Sequence, residues 1–243
     1  MKMNTKNNTA MTSEKYLKPN LSTSLVELIS DSAYGPECAG LSLKNCAIKL
    51  ITDSKTVFED FGELLFTHRG VSGPIVLSAS AHMKSHQHYD LFIDLKPALS
   101  PEMLDARIMR DFSLMQNKTF KNSLSKLLPS SLRSVVVGLS GIDPEKEVNS
   151  ITKNERSKLV TLLKAFPVLN VRPGPMESAI VTAGGISTSK INPKTLQSKL
   201  CDGLYFAGEI LNVDGITGGY NLQIAFSTGW VSGSSAAQKI LDN

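Results

Sequence analysis

The stretch Gly203–Gln223, GLYFAGEILNVDGITGGYNLQ, opens with a short apolar run, Leu204-Tyr205-Phe206-Ala207. It passes through Gly208-Glu209 into a loop carrying Asp214 and Gly215, then meets Thr217-Gly218-Gly219. Beyond that point Leu222, Ala225, Phe226 and Val231 recur with helical spacing. The order is strand, glycine loop, helix N-terminus. A helix start carries unpaired backbone N–H groups and the positive end of the helix dipole, so an anion, a phosphate or an electron-rich ring edge is stabilised there. An ordinary β–α turn that needs glycines for its geometry has the same signature.

The bulk properties bound what surrounds this stretch. At 243 residues the chain holds one large domain or two modest ones. An apolar content of 41% and a charged content of 20% fit a globular protein with a core. No apolar run reaches the length of a membrane span, and residues Met1–Asn20 lack the apolar centre of a signal peptide, so a cytoplasmic setting and no membrane contact are expected. Net charge is +4, with the cations scattered and Lys118, Lys121 and Lys126 as the nearest thing to a patch. A dedicated nucleic-acid binder concentrates its charge more than this. The cysteines, Cys38, Cys46 and Cys201, are odd in number and form no CxxC, which favours free thiols.

Met1–Asn20 is rich in Lys, Asn and Thr and is expected to be a flexible tail. Leu21–Ala98 is the strand-rich part. Cys46, Ile48 and Leu50 alternate with polar neighbours, as do Leu91, Ile93 and Leu95. Thr56–Phe58 and Glu63–Phe66 make two short strand-like runs with a turn at Glu59–Gly62 between them, and Pro74 suits a first helical position. Short strands at this spacing predict a small barrel or sandwich. Leu99–Phe166 becomes helical. Ser100 caps a first helix with Leu104, Ile108, Phe112 and Met115 on one face. A second spans Phe120–Leu128, a third ends at Gly141, and a fourth opens on the capping box Thr152-Lys153-Asn154-Glu155. From Pro167 to Asn243 strands return at Val168–Val171, Ser178–Thr182 and Leu204–Ala207, followed by a helix from Tyr220 to Ile240. This α/β ending is too short to be a doubly wound domain by itself.

The chemistry-bearing residues are few. His82, His86 and His88 form HxxxHxH, but no carboxylate or cysteine cluster accompanies them and no metal site is predicted. His68-Arg69 lies in a loop bounded by Gly70 and Gly73 and is a substrate-facing candidate; an Arg that only structures its own loop fits the same residues. Ser72 misses the nucleophile-elbow spacing by one residue. GxGxxG is absent, so no cradle for a dinucleotide pyrophosphate is recognisable.

VTAGGIS at Val181–Ser187, INPKTLQSKL at Ile191–Leu200 and GLYFAGEILNVDGITGGYNLQIAFSTGWVSG at Gly203–Gly233 closely resemble the BaiN/RdsA/aminoacetone-oxidase-like flavoproteins. GLSLKN at Gly40–Asn45 and ELLFTHRGVSGPIVLSAS at Glu63–Ser80 resemble the same family. The resemblance implies an NAD(P)/FAD-dependent oxidoreductase of α+β class with a small-molecule substrate. A β-barrel and helical insert would be followed by the C-terminal part of an incomplete Rossmann-like FAD-binding domain. It implies that Gly208 and Glu209 lie near the flavin ribityl chain and that Asp214, Gly215, Thr217, Gly218, Gly219, Tyr220, Asn221 and Leu222 approach the ring, with Gly184 and Gly185 beside it. NAD(P)H is the implied electron donor.

The family's N-terminal GxGxxG segment has no counterpart in these residues. The expectation is therefore weak or no FAD binding by the chain alone. Phe206, Ile210 and Leu222 would be exposed where the other half packs, inviting self-association. A small-barrel binding module for RNA or a protein partner, without catalysis, is the alternative.

Overall fold

The computed structural model describes residues 17–32, 34–84 and 86–242, and for residues 17–20 and 35 the backbone alone. They form two compact units, one of Glu27–Gly174 and one that joins residues 17–26 to residues 175–242.

The first unit is built on the alternation read from the sequence. β3 (Ser42–Thr52) and β4 (Lys55–Thr67) form a long antiparallel hairpin. Its two-residue turn places Asp53 at φ 47° and Ser54 at φ 62°. Two successive left-handed residues match the twist of the flanking strands. β5 (Gly70–Ser72) continues from β4, and β6 (Tyr89–Asp94) lies on the other side of β3. β7 (Phe166–Pro173) pairs with β6, and β2 (Leu28–Ile29) bridges β5 and β7, which closes a six-stranded barrel in the order β2-β5-β4-β3-β6-β7. Cys46, Ile48, Leu50, Leu91 and Ile93 all point into it and are buried.

Two strand expectations are corrected here. The turn predicted at Glu59–Gly62 does not exist, and β4 runs straight through it. Gly62 is required by packing instead: a Cβ there would stand 2.7 Å from Ile75 Cγ2, on the helix α2 (Pro74–Ser80) laid across the barrel. The run from Pro167 belongs to β7 and completes the barrel after the helices, rather than opening the closing segment.

The helices follow their caps. Ser100 Oγ accepts the Met103 amide at 3.2 Å to start α3 (Pro101–Ser113), and the reciprocal Thr152–Glu155 bonds start α5 (Lys153–Lys164). α4 (Ser130–Ser140) ends on Gly141 at φ 69°, while α1 (Gly35–Cys38) is one turn. The helix predicted over Phe120–Leu128 is replaced by two 3-10 turns, Phe120–Asn122 and Leu124–Lys126. The Phe120 and Lys121 amides are drawn away to Lys146 O at 2.8 Å and Pro144 O at 3.1 Å. The barrel interior and the helices share one apolar core, joined through Phe166, whose ring packs against Phe66 and Tyr34. Truncating a fully buried Leu or Ile in such a core costs about 2–5 kcal/mol.

The second unit is thinner. β1 (Leu17–Ser24) pairs antiparallel with β8 (Val181–Ile186). The last four residues of the predicted tail are therefore strand backbone, and Met1–Tyr16 lies outside the described residues. Leu204–Ala207 is not a strand: it makes an isolated bridge, Gln197↔Tyr205, and its backbone bonds run to Leu196 and Ser198. Ile186, Ile191 and Leu211 form a small core, with Leu196, Leu204 and Phe206 partly buried against it. The long helix α6 (Tyr220–Leu241) completes the unit, and no described residue on it is buried. No helix among the described residues is long and apolar enough to cross a membrane.

Candidate functional site

The glycine loop does what its composition requires. Gly218 at φ 109° and Gly219 at φ 87° turn the chain into α6, a conformation other residues adopt only under strain. Gly219 is the N-cap, no side chain caps the helix, and its first turn holds no acidic residue. The leading amides of α6 thus keep their hydrogen-bonding capacity and the positive end of the dipole. The Asn221 carboxamide clamps the loop below: its Oδ1 accepts from the Gly215 amide at 2.8 Å and its Nδ2 donates to the Gly215 carbonyl at 2.9 Å.

A cavity of about 430 Å³ opens beside this loop. Glu209, Asp214, Thr217, Gly218 and Gly219 give it one wall, and Leu25, Val181 and Thr182 another. Its size falls in the range of small-molecule sites. Both carboxylates are held from the opposite wall. Glu209 Oε1 accepts from the Thr182 amide at 2.7 Å and from Thr182 Oγ1 at 3.0 Å. Asp214 Oδ2 accepts from Ser24 Oγ at 2.8 Å. Leu25, next to Ser24, sits at φ 51°, and a left-handed conformation costs a non-glycine residue roughly 1–2 kcal/mol.

Of the sequence-predicted residues, Glu209, Asp214, Thr217, Gly218, Gly219, Asn221 and Leu222 line this cavity. Gly215 is held beneath it by Asn221. Gly208 lies in a 3-10 turn and donates its amide to Thr228 Oγ1 at 2.8 Å. Tyr220 is exposed. Gly184 and Gly185 lie on β8, and Gly185 has a packing reason of its own: a Cβ would stand 2.5 Å from the Ile210 carbonyl oxygen. Ser24 and Leu25 were not legible as site residues, because a serine–threonine run beside a polar tail carries no local signal, and Thr182 reads only as a strand residue.

The helix behind the loop is tethered by polar contacts along one side. Thr228 Oγ1 donates to Ile224 O at 2.6 Å while accepting from Gly208, Tyr205 Oη reaches Ser235 O at 3.5 Å, and Lys239 pairs with Asp202. Outward, Leu222 (65% exposed), Phe226 (72%) and Trp230 (78%) follow one another at four-residue steps, so they form one apolar stripe. A second cavity, about 380 Å³ and lined mainly by Ile191, Pro193, Leu196, Leu211 and Ile224, lies along the same helix. Ile210 and Leu222 are exposed as expected; Phe206 is not, since it packs into the small core.

The remaining residues singled out from the sequence lie in the barrel unit. Arg69 Nη2 binds Glu27 Oε1 at 3.0 Å within its own neighbourhood, which is the loop-structuring role, and His68 is exposed beside it. The His82 ring stacks on Phe58 with centroids 4.7 Å apart, and His88 Nε2 stands 3.5 Å from Asp90 Oδ1. Among the described residues no three His, Cys, Asp or Glu side chains gather as a metal site. All three cysteines are free; burial pushes the Cys38 and Cys46 thiols up to about 11, helped by Glu37 and Asp94 respectively.

Comparison with known proteins agrees with this layout. Residues 22–181 match the model of the HI0933-like protein barrel and H2TH domain. The chain is 31% identical over 185 residues to the 3-dehydro-bile acid delta(4,6)-reductase of Clostridium scindens, covering 74% of this chain and 45% of the relative. It is 31% identical to the ribosomal RNA dihydrouridine synthase of Escherichia coli and 32% to that of Haemophilus influenzae, each covering 74% of this chain and 43% of the relative. The matched region thus spans less than half the length of these curated relatives. With the barrel and the helices both inside the matched region, the chain belongs to the HI0933-like flavoprotein family.

Proposed function

We propose that this chain contributes the barrel-and-helix insert and the ring-facing part of the FAD site of an NAD(P)/FAD-dependent oxidoreductase. The observation that carries this reading is the uncapped start of α6 beside a cavity of about 430 Å³ whose wall there has no side chains at Gly218 and Gly219. The residues present fit the ring end of the cofactor. A flat ring slides against bare backbone, and the helix start favours the negative charge that gathers on its pyrimidine edge upon reduction. Glu209, held by Thr182, offers its second oxygen to ribityl hydroxyls, and Gly208 allows close approach.

FAD, when bound, supplies the redox chemistry. The chain's own residues orient it, accept hydrogen bonds from it and exclude water along Leu25, Val213 and Ile224. NAD(P)H is the proposed electron donor. The names of the two kinds of relative, a delta(4,6)-reductase and a dihydrouridine synthase, both denote addition of hydrogen across a carbon–carbon double bond. Reduction of such a bond in a small molecule or nucleobase is the reaction class proposed here.

The 243 residues hold no GxGxxG, so the grip on the pyrophosphate is proposed to come from polypeptide outside them, packed against the outward stripe of α6. The test is FAD retention on gel filtration, for the chain alone and for the chain co-expressed with the N-terminal region of a relative. Stoichiometric FAD only in the second case supports the reading. No FAD in either case sinks it.

A further inference from the structure

Ser24 and Asp214 stand 190 positions apart in the chain, yet their side chains meet at 2.8 Å. Ser24 is fully buried, and it is the last residue of β1. Its hydroxyl needs an acceptor, because an unsatisfied buried donor is costly. Asp214 supplies one with Oδ2 while its residue remains exposed at the cavity wall. Immediately after Ser24 the backbone enters the left-handed region at Leu25, and Leu25 O accepts the Ile180 amide at 3.1 Å. Strain of this kind persists where surroundings over-determine it, and it gathers at ligand sites. Here it seats the Leu25 side chain in the cavity wall and the Ser24 hydroxyl under Asp214. A carboxylate tethered through one oxygen has the other free and fixed in direction.

We infer that Ser24 is a positioning residue that fixes the Asp214 carboxylate so that its second oxygen accepts a hydrogen bond from a donor group of the bound flavin. This rests on the flavin reading of the cavity given above. The donor is either a ribityl hydroxyl or the ring imide N–H, and both present the same chemistry to a carboxylate.

The experiment is equilibrium binding of riboflavin, lumiflavin and 3-methyllumiflavin to the full chain, followed by flavin fluorescence. The variants are Ser24→Ala, Ser24→Cys, Asp214→Asn and the Ser24→Ala/Asp214→Asn double variant. Ser24→Cys keeps the volume with a weak donor, and urea unfolding of each variant checks that it folds. Asp214→Asn is expected to raise Kd roughly tenfold, as for loss of a hydrogen bond to a charged group. Both Ser24 variants are expected to follow it within about threefold, and the double variant to add nothing further, since coupled residues are not additive. Weakening of 3-methyllumiflavin in the wild type alone assigns the donor to the ring imide; loss of the Asp214 effect on lumiflavin assigns it to the ribityl chain. Folded Ser24 variants that bind like the wild type, or losses that simply add, overturn the positioning role and leave the flavin site standing. None of these three flavins carries a pyrophosphate that needs the missing grip, so a wild-type chain that binds none of them even weakly, up to their solubility limits, overturns the flavin reading itself.

Discussion

Asn221 holds Gly215 from both sides, taking its amide proton at 2.8 Å and returning one to its carbonyl at 2.9 Å. The loop from Gly215 to Asn221 is thereby closed across its base, and Ile216–Gly219 is presented as a unit. Replacing Asn221 by Ala removes both bonds and leaves a part-buried peptide unpaired, at a cost of about 1–3 kcal/mol. Amide hydrogen exchange at Ile216–Gly219 is expected to quicken severalfold, with the barrel unit unchanged. Unaltered exchange there would show that the glycines alone set the loop.

Gly62 and Ile75 make a steric pair. Gly62→Ala places a methyl 2.7 Å from Ile75 Cγ2 and is expected to destabilise the barrel unit by about 1–3 kcal/mol in urea unfolding. Adding Ile75→Ala opens that space, so the added penalty of Gly62→Ala should largely vanish when measured in the Ile75→Ala background. Equal penalties in both backgrounds would mean that Gly62 serves the strand and not the helix above it.

The start of α5 carries an acid-sensitive contact. The Lys146 ammonium first, then the Thr152 backbone and hydroxyl, hold the Glu155 carboxyl well below its ordinary value of 4.5, at about 2. A depressed folded value stabilises the fold above the unfolded value and loses that contribution as protons bind. Unit stability should therefore be at its full Glu155-dependent level above pH 4.5 and decline between pH 4.5 and about 2. Glu155→Gln is expected to flatten that part of the pH–stability curve measured by urea unfolding; an unchanged curve would refute the linkage. Thr152→Ala should cost about 1 kcal/mol at neutral pH through loss of the cap.

Trp230 is the sole tryptophan and is 78% exposed, which makes it a reporter for the outward stripe of α6. The stripe is expected to drive self-association of the isolated chain at high concentration, with a blue shift of tryptophan emission as it is covered. Phe226→Glu should keep the chain monomeric in sedimentation experiments and leave barrel stability within about 0.5 kcal/mol. A wild-type chain that stays monomeric with solvent-like emission contradicts this.

What could be read from the sequence was local. Ser100, Thr152, Pro74 and Gly141 announce their helix ends because caps act within three or four residues. The alternation at Cys46–Leu50 and Leu91–Leu95 announces the barrel interior in the same way. The glycine loop and α6 were legible for the same reason. What stayed hidden was decided by distant neighbours. Gly62 resembles a turn residue until Ile75 is seen above it. Pro167–Val171 resembles the start of a new domain until β6 and β2 are seen beside it. Leu204–Ala207 has strand composition, but pairing depends on what lies alongside. Ser24 gains a meaning only when the chain folds back over 190 positions to bring Asp214 to it.

The proposed function has the loop before α6 facing a flavin ring. Site-resolved amide chemical-shift mapping of the chain titrated with FMN tests it most directly. Weak, saturable shifts confined to Val213–Leu222, Glu209 and Thr182 are expected, with the barrel unit silent. Shifts that centre on the barrel unit, or none at the solubility limit of FMN, would contradict it.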